Sequence, residues 1–516
     1  MNCQWNLSNR TGMKTMRSEG LQYVRRRPLI TFLVGAWLIV SGCVVQRSPV
    51  SGKQRAYGYS WAQEEQIGRE ADPEIVAQYG LYDDPELAAY VDSLGIVVLG
   101  ASHLRRDDTP EEYRRTEFTF RVLDSPVVNA FALPGGYVYV TRGLLAHLNN
   151  EAQLAVVLGH EIGHVAGRHA SQRALEMQLG QLGVLGGAVI GQEVLGMPGA
   201  AVLDLGSQAA GLLFLKYGRD DERESDRLGV EYAARLGYQA GEGSGFFNSL
   251  ERMTEQSGQQ IPSFLSSHPD PGEREETIRA LAADWATREP MSRVGEAELV
   301  DRIDGIVYGD DPRQGFVENG VFLHPPLRFR FPVPTGYRVV NQPMRVVLVA
   351  PDQDAVVVLS VEAEAATAAA AASEFRATEG LTIVEQGVRT VHGLSARFVL
   401  ADAMTSDGVA VRILAQFLDF ESSVYRFLAY AARDAFPSKR PDLEVALGGF
   451  EKLQDPAALN RQPNRLRVDR THGSGVFKSL INKDLDMITT EELAILNQVQ
   501  QDALISAGRP LKLIRN

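Results

Sequence analysis

Cysteine is nearly absent: Cys3 and Cys43 are the two thiols in 516 residues. Cys3 falls within an N-terminal leader, so a disulfide framework is excluded, and a chain of this length can bury a core without one. Basic residues are outnumbered, 52 against 65 acids, for a formal net charge of −13. That balance argues against nucleic acid or an anionic membrane face as a partner. Long apolar runs are lacking too. The stretch from Pro28 to Gly42 is too short to cross a bilayer comfortably. No 34-residue period marks a tetratricopeptide array. Histidine is scarce, nine in all, which makes its distribution informative.

Three of those histidines and one acid lie in "LGHEIGHVAGRHA", Leu158 to Ala170. The segment continues from Asn150, a good helix N-cap, with Gln153 three residues on as in a capping box. The apolar run Leu154 to Leu158 predicts a helix covered on most sides, where an unbonded imidazole would be costly. His160 and His164, four apart, share one helical face and converge. Glu161 lies beside them. This is His-Glu-x-x-His, in which two neutral imidazoles hold zinc and the carboxylate acts on water. For a third ligand, His169 is one residue early for the metzincin spacing, whose last histidine would fall at Ala170; one residue is about 100° of helix. The alternative is a glutamate followed four residues later by an aspartate. Between His164 and Pro290 that pattern occurs once, Glu222 to Asp226 in "GRDDERESDRLG". Glu222 would face the metal and Asp226 the far nitrogen of a ligating histidine, leaving His169 on the surface or behind a ligand.

"HEIGH", "GRDDERESD" and "SSHPDPGER", with "NAFALPGGYVYVTRGLL" (129–145) before the first, resemble the zinc peptidases that include the HtpX, BepA-like and CAAX prenyl proteases, metallopeptidase family 48 of gluzincin type. The resemblance covers roughly residues 58 to 285, and the stretch at 129–145 looks like the soluble periplasmic branch. Gly218 and Ser225 stand where the family pattern has serine and alanine, both small changes. The resemblance implies one Zn2+ per chain, held by His160, His164 and Glu222, with Glu161 as catalytic base. It marks His268 as a transition-state stabiliser or a reversible fourth ligand. Arg274 would steady that loop, pair with an acid of the site, or lie on the surface.

The first 42 residues carry six bases against the single acid Glu19, then the short apolar run, and read as a secretory signal. "VSGC" resembles a bacterial lipobox, so Cys43 is expected to be acylated after cleavage, and Val44 resembles the outer-membrane sorting pattern. Removing the leader leaves 46 bases and 64 acids, a formal charge of −18. The expected location is the periplasm, lipid-anchored to the outer membrane.

The expected fold class is α+β: a mainly helical zincin-like protease domain with a small sheet, an α/β sandwich, and a small C-terminal LysM-like module. The boundaries are a signal peptide at 1–42, a polar tether at 43–57, the protease domain at 58–290, the accessory domain at 311–455 and the LysM-like module at 463–516. An aspartate cap and a first-turn proline predict a helix over 83–100. "EFTFRVLDSP" and "GYVYVTRG" read as strands, with an edge near 129–133 able to take an extended peptide. The apolar, glycine-rich 181–218 is interrupted by Gln192, Glu193, Pro198 and Asp204, and reads as a helical hairpin packed on the site or as a mobile lid for clients. Residues 311–455 vaguely resemble PsbP-type sandwiches, and His324 and His392 stand alone there. The LysM likeness implies a grip on glycan strands, hence peptidoglycan.

Two functions follow from these readings. One is a zinc endopeptidase acting on unfolded or misassembled envelope proteins. The other is a client-holding chaperone or envelope adaptor on a protease fold. Glu161 speaks for the first, because a structural zinc site has no use for a base.

Overall fold

The computed structural model describes residues 43–184, 217–257, 268, 271–362, 365–405, 408–481 and 488–516. The leader and most of the apolar 181–218 stretch lie outside the described residues. The order begins with β1 (Val44–Arg47) and β2 (Gln54–Tyr57), then α1 (Trp61–Tyr79) and α2 (Pro85–Gly100). Asp84 caps α2 by accepting from Leu87 N, with Pro85 in its first turn. A small sheet follows, β3 (Thr119–Leu123), β4 (Ala130–Leu133) and β5 (Tyr137–Thr141), in the order β3-β5-β4. β4 is therefore an edge. Then come α3 (Arg142–His147), α4 (Glu151–Gly167), α5 (His169–Val184), α6 (Arg219–Arg235), α7 (Gly243–Ser257) and α8 (Pro271–Trp285).

Residues 43–57 are not a loose tether. β1 and β2 pair antiparallel, Val44 opposite Tyr57. Tyr57 is fully buried, with the Arg168 guanidinium 3.7 Å above its ring. Arg168 ends α4 in a left-handed conformation, φ 60° and ψ 38°. An L residue there carries strain, and four contacts hold it. Its guanidinium donates to Glu64 Oε1 (2.8 Å), Gln46 Oε1 (2.9 Å) and Tyr59 O (2.7 Å) besides covering Tyr57. The polar sequence of 46–60 hides the tyrosines that dock it.

The accessory region is a seven-stranded antiparallel sheet built from β9 (Arg338–Gln342), β10 (Arg345–Val349), β11 (Ala355–Glu362), β12 (Thr382–Val391), β13 (Leu394–Met404), β14 (Ala410–Phe420) and β15 (Ser423–Ala432). Their order is β12-β13-β14-β15-β11-β10-β9. Strand alternation sends Val399, Ala415 and Phe417 to the face covered by the helix α9 (Ala368–Ala377). Leu400, Leu414 and Leu418 go to the opposite face, which carries α10 (Phe436–Gly448) and the four-stranded sheet of β6 (Phe316–Glu318), β7 (Val321–His324), β8 (Phe329–Pro332) and β16 (Glu451–Lys452).

Residues 463–516 follow a strand, helix, helix, strand order: β17 (Arg465–Arg470), residues 477–480, α11 (Thr490–Leu496) and the strand Pro510–Arg515, which pairs with β17. They are not a self-contained module. Leu466, Phe477, Leu493, Leu496 and Ile514 belong to the same core as Val156 and Leu158 of α4. Lys512 is buried and donates from Nζ to Ala146 O (2.7 Å) and Leu148 O (3.1 Å), satisfying C-terminal carbonyls of α3, while burial holds its amine well below the usual lysine range. Gln498 pairs with Gln153 in the first turn of α4. The apolar positions that sequence assigns to a small private core are spent on the protease domain.

Candidate active site

All seventeen residues of α4 are buried. Asn150 caps it, accepting from Gln153 N at 2.9 Å, while Gln153 Oε1 reaches Asn149 N instead of closing a box on the cap residue. α4 packs on α6 through small residues. A Cβ added at Gly229 would sit 2.8 Å from Val156 O and 2.9 Å from His160 N, and one at Gly159 would sit 3.0 Å from Gly229 Cα. Only glycine allows the two backbones this close, and the closeness brings short acidic side chains of α6 to the imidazoles of α4. That signal, Gly159 and Gly163 facing Ser225 and Gly229, is present in the sequence but carries no meaning until the helices are paired.

His160, His164, Glu222 and His268, all buried, form a group whose donor atoms lie within 4.8 Å of one another and could hold one metal ion. His160 Nε2 and His164 Nε2 are 3.0 Å apart, and Glu222 oxygens stand 3.6 Å and 3.5 Å from them. His268 Nδ1 lies 3.0 Å from Glu222 Oε1 and 3.3 Å from His160 Nε2. Two imidazoles and a carboxylate converging on one point are the donor set zinc prefers. Glu161 adds a second test of fit. It is fully buried, and neither carboxylate oxygen accepts a hydrogen bond from a described residue. Burying an unsolvated carboxylate is costly unless a charge or a reacting group meets it.

The electrostatics follow from the packing. Burial pushes the Glu161 carboxyl above its ordinary range, against the pull of His268 and His160. Burial also works against ionised Glu222, but His268 and Arg274 outweigh it and hold that carboxyl below its usual value. Asp226 is opposed by burial and then drawn down to about 2 by Arg274 and His160. Burial, with His160 and His169 beside it, holds His164 well below the usual imidazole range and therefore neutral.

Behind the donors, each ring is oriented by a partner. Asp226 Oδ1 lies 3.0 Å from His160 Nδ1, so the Nδ1–H donates outward and the Nε2 lone pair faces the centre. His169 does the same for His164. Its Nε2 is 3.1 Å from Glu224 Oε2 and its Nδ1 is 3.0 Å from His164 Nδ1. Glu224 fixes the proton on His169 Nε2, which leaves Nδ1 to accept from His164. His169 is thus neither a ligand nor on the surface. Alanine at His169 should keep zinc but weaken its binding roughly 10–100-fold by chelator competition; unchanged affinity would remove the relay.

Arg274 is buried as well. It donates to both Asp226 oxygens, at 2.9 Å and 2.5 Å, and its Nη1 lies 3.1 Å from Glu222 Oε2. Sequence left it equally open as a surface arginine; the structure spends it on the two acids of α6. Arg274→Ala takes the guanidinium away from two buried carboxylates, leaving a histidine beside each, and should cost about 3–5 kcal/mol in urea unfolding of the metal-free protein. A loss typical of an exposed pair, below about 1 kcal/mol, would show the pairing to be incidental. Sequence reasoning missed Tyr217, whose ring stacks 4.0 Å from His164. Cys43 lies far along the chain from this group, half-exposed just before β1.

The comparisons with known proteins agree with this geometry. Residues 103–282 match the model of peptidase family M48. The Beta-barrel assembly-enhancing protease of Escherichia coli K12 is 31% identical over 235 residues, 44% of this chain and 45% of that protein. The mitochondrial metalloendopeptidase OMA1 of Bos taurus is 35% identical over 169 residues, 31% of each. The chain thus spans less than half the length of these curated relatives. A solution structure of cyanobacterial PsbP from Synechocystis covers 26% of this chain at 13% identity and TM-score 0.22, a likeness too slight to argue from. Residues 103–282 thus match a family, peptidase family M48, whose members depend on zinc, and the matched segment contains the four-donor group.

Proposed function

We propose that this chain is a zinc endopeptidase of the periplasm, anchored by a lipid on Cys43, that degrades misfolded or stalled envelope proteins. The observation that carries the peptidase reading is Glu161: fully buried, without a hydrogen-bond donor among the described residues, and 3.7 Å from His268 beside the donor group. His160, His164 and Glu222 would hold the metal. Zinc in such a site supplies Lewis acidity toward a water and a peptide carbonyl. Glu161 accepts the proton of the attacking water and returns it to the leaving amine, a role its raised affinity for protons suits. Asp226 and His169 keep the two imidazoles in the tautomer that presents Nε2. β4, an open sheet edge packed against α4, would take the substrate as an added strand.

The envelope setting is supported by the basic and apolar leader sequence, by the half-exposed Cys43 that follows it and by the named activity of the E. coli relative. A mature N-terminus mapped to a residue other than 43 would defeat the anchor. Peptidoglycan binding by residues 463–516 is a weaker proposal, because much of that region is committed to the protease core. The chaperone reading is tested alongside. A zinc chelator should stop degradation of an unfolded protein and added zinc should restore it. Binding without cleavage under all conditions would favour the holdase.

His268 sits among the donors, with Nδ1 turned to Glu222, and this supports its reading as a reversible fourth ligand. His268→Ala should therefore raise the cleavage rate while zinc stays bound. A rate lowered by about 10²–10³ would instead assign it to the oxyanion.

A further inference from the structure

A second candidate site lies away from the metal group, in a cleft of about 650 Å³ where the protease domain meets the accessory sheets. Three stretches of consecutive residues wall it: 124–127, 314–317 and 339–343. Strand faces expose alternate residues, so a strand contributes consecutive residues to a wall only by presenting its edge. The sheet orders agree, with β9 at the end of the seven-stranded sheet and β6 at the end of the four-stranded one. The β9–β10 hairpin closes through Pro343 and Met344 with Gln342 opposite Arg345. A two-residue turn makes that closing pair the hydrogen-bonded one, so Val340 points its amide into the sheet while Val339 and Asn341 point theirs into the cleft.

The walls are pinned to one another. Asn341 Nδ2 donates to Gln314 O (2.9 Å) and Gly315 O (3.1 Å), and Gln314 Nε2 donates to Asp124 Oδ2 (2.6 Å). A preformed site costs little to occupy. Three of its charges are paired, Asp124 with Arg142, Asp311 with Arg313, and Arg461 with Glu318, and the fourth, Asp310, is a further acid. A phosphate or other anion therefore finds no unpaired cation among the described lining residues. What the cleft does offer is backbone donors and acceptors in strand spacing, rimmed by Val127 and Val317, which are 43% and 46% exposed. The partner that uses both is an extended, uncharged stretch of polypeptide.

We propose that this cleft binds an unpaired strand of a client protein by addition to the edge of β9. The wall at 124–127 runs on into β4 within about three residues, roughly 10 Å of extended chain, so one client could occupy both edges. The proposal deepens the protease reading by naming unpaired β-segments as the substrate class, but strand binding itself does not depend on cleavage.

The test uses the full chain and a fluorescent twelve-residue peptide of alternating valine and threonine with a lysine at each end. At saturation, hydrogen exchange of the Val339 and Asn341 amides should slow. Val339→Pro, which removes a cleft-facing donor at an edge where proline is tolerated, should weaken the peptide about tenfold. Val317→Glu, which leaves the β9 backbone intact, should weaken it by a similar factor and covers the case in which the proline variant does not fold. For a long unfolded substrate both variants should raise KM and leave kcat unchanged. Protection confined to residues 130–133, or equal affinity in both variants, would overturn the proposal. If Glu161→Gln cleaves normally while the exchange pattern holds, the protease assignment fails and the cleft stands.

Discussion

Glu222→Ala should yield a protein that binds no zinc at stoichiometric metal and cleaves nothing. Its carboxylate is the one acid in the donor group and the one non-imidazole ligand reaching both His160 and His164. Without it, three imidazoles remain around a divalent ion, and Arg274 loses one of its close acid partners while keeping Asp226. The cationic Arg274 then sits beside the vacated position with less to offset it, which disfavours a metal cation further. Structural zinc is held by about 10–16 kcal/mol in small domains, so losing one of three or four donors removes binding at ordinary concentrations. The check is metal content after dialysis, with circular dichroism to show the chain still folds. Glu222→Ala with one tightly held zinc would move the third ligand elsewhere, His268 being the nearest candidate.

The parts of this site that sequence makes legible are those set by one helix. His160, Glu161 and His164 follow from 3.6-residue periodicity, and Glu222 with Asp226 follows from the same spacing on a second helix. What sequence leaves open depends on where the chain stops being regular. His169 returns to the back of His164 because the helix breaks at Arg168 in a left-handed turn, and the buried Glu64 and Tyr57, with the half-buried Gln46, hold that turn from far upstream. Spacing alone would place His169 off the ligand face. The same remoteness explains the hairpin at 44–57 and the docking of 463–516, both settled by partners more than a hundred residues away. The α2 cap and the β3–β5 sheet were readable because each is decided locally.

On the proposed reading, Glu161 is a base beside a zinc held by other residues. Its orphaned oxygens have no structural use among the described residues, so replacing the carboxylate by an isosteric amide should spare the fold and the metal. It should not spare the chemistry, since an amide cannot accept the proton; general-base catalysis is typically worth about 10²–10⁴ in rate. The most direct measurement is therefore a paired one on Glu161→Gln: zinc per chain, and the single-turnover rate on an unfolded protein, both against wild type. One zinc per chain with the rate lowered by about 10²–10⁴ is the predicted result. Zinc retained with cleavage at the wild-type rate would contradict it.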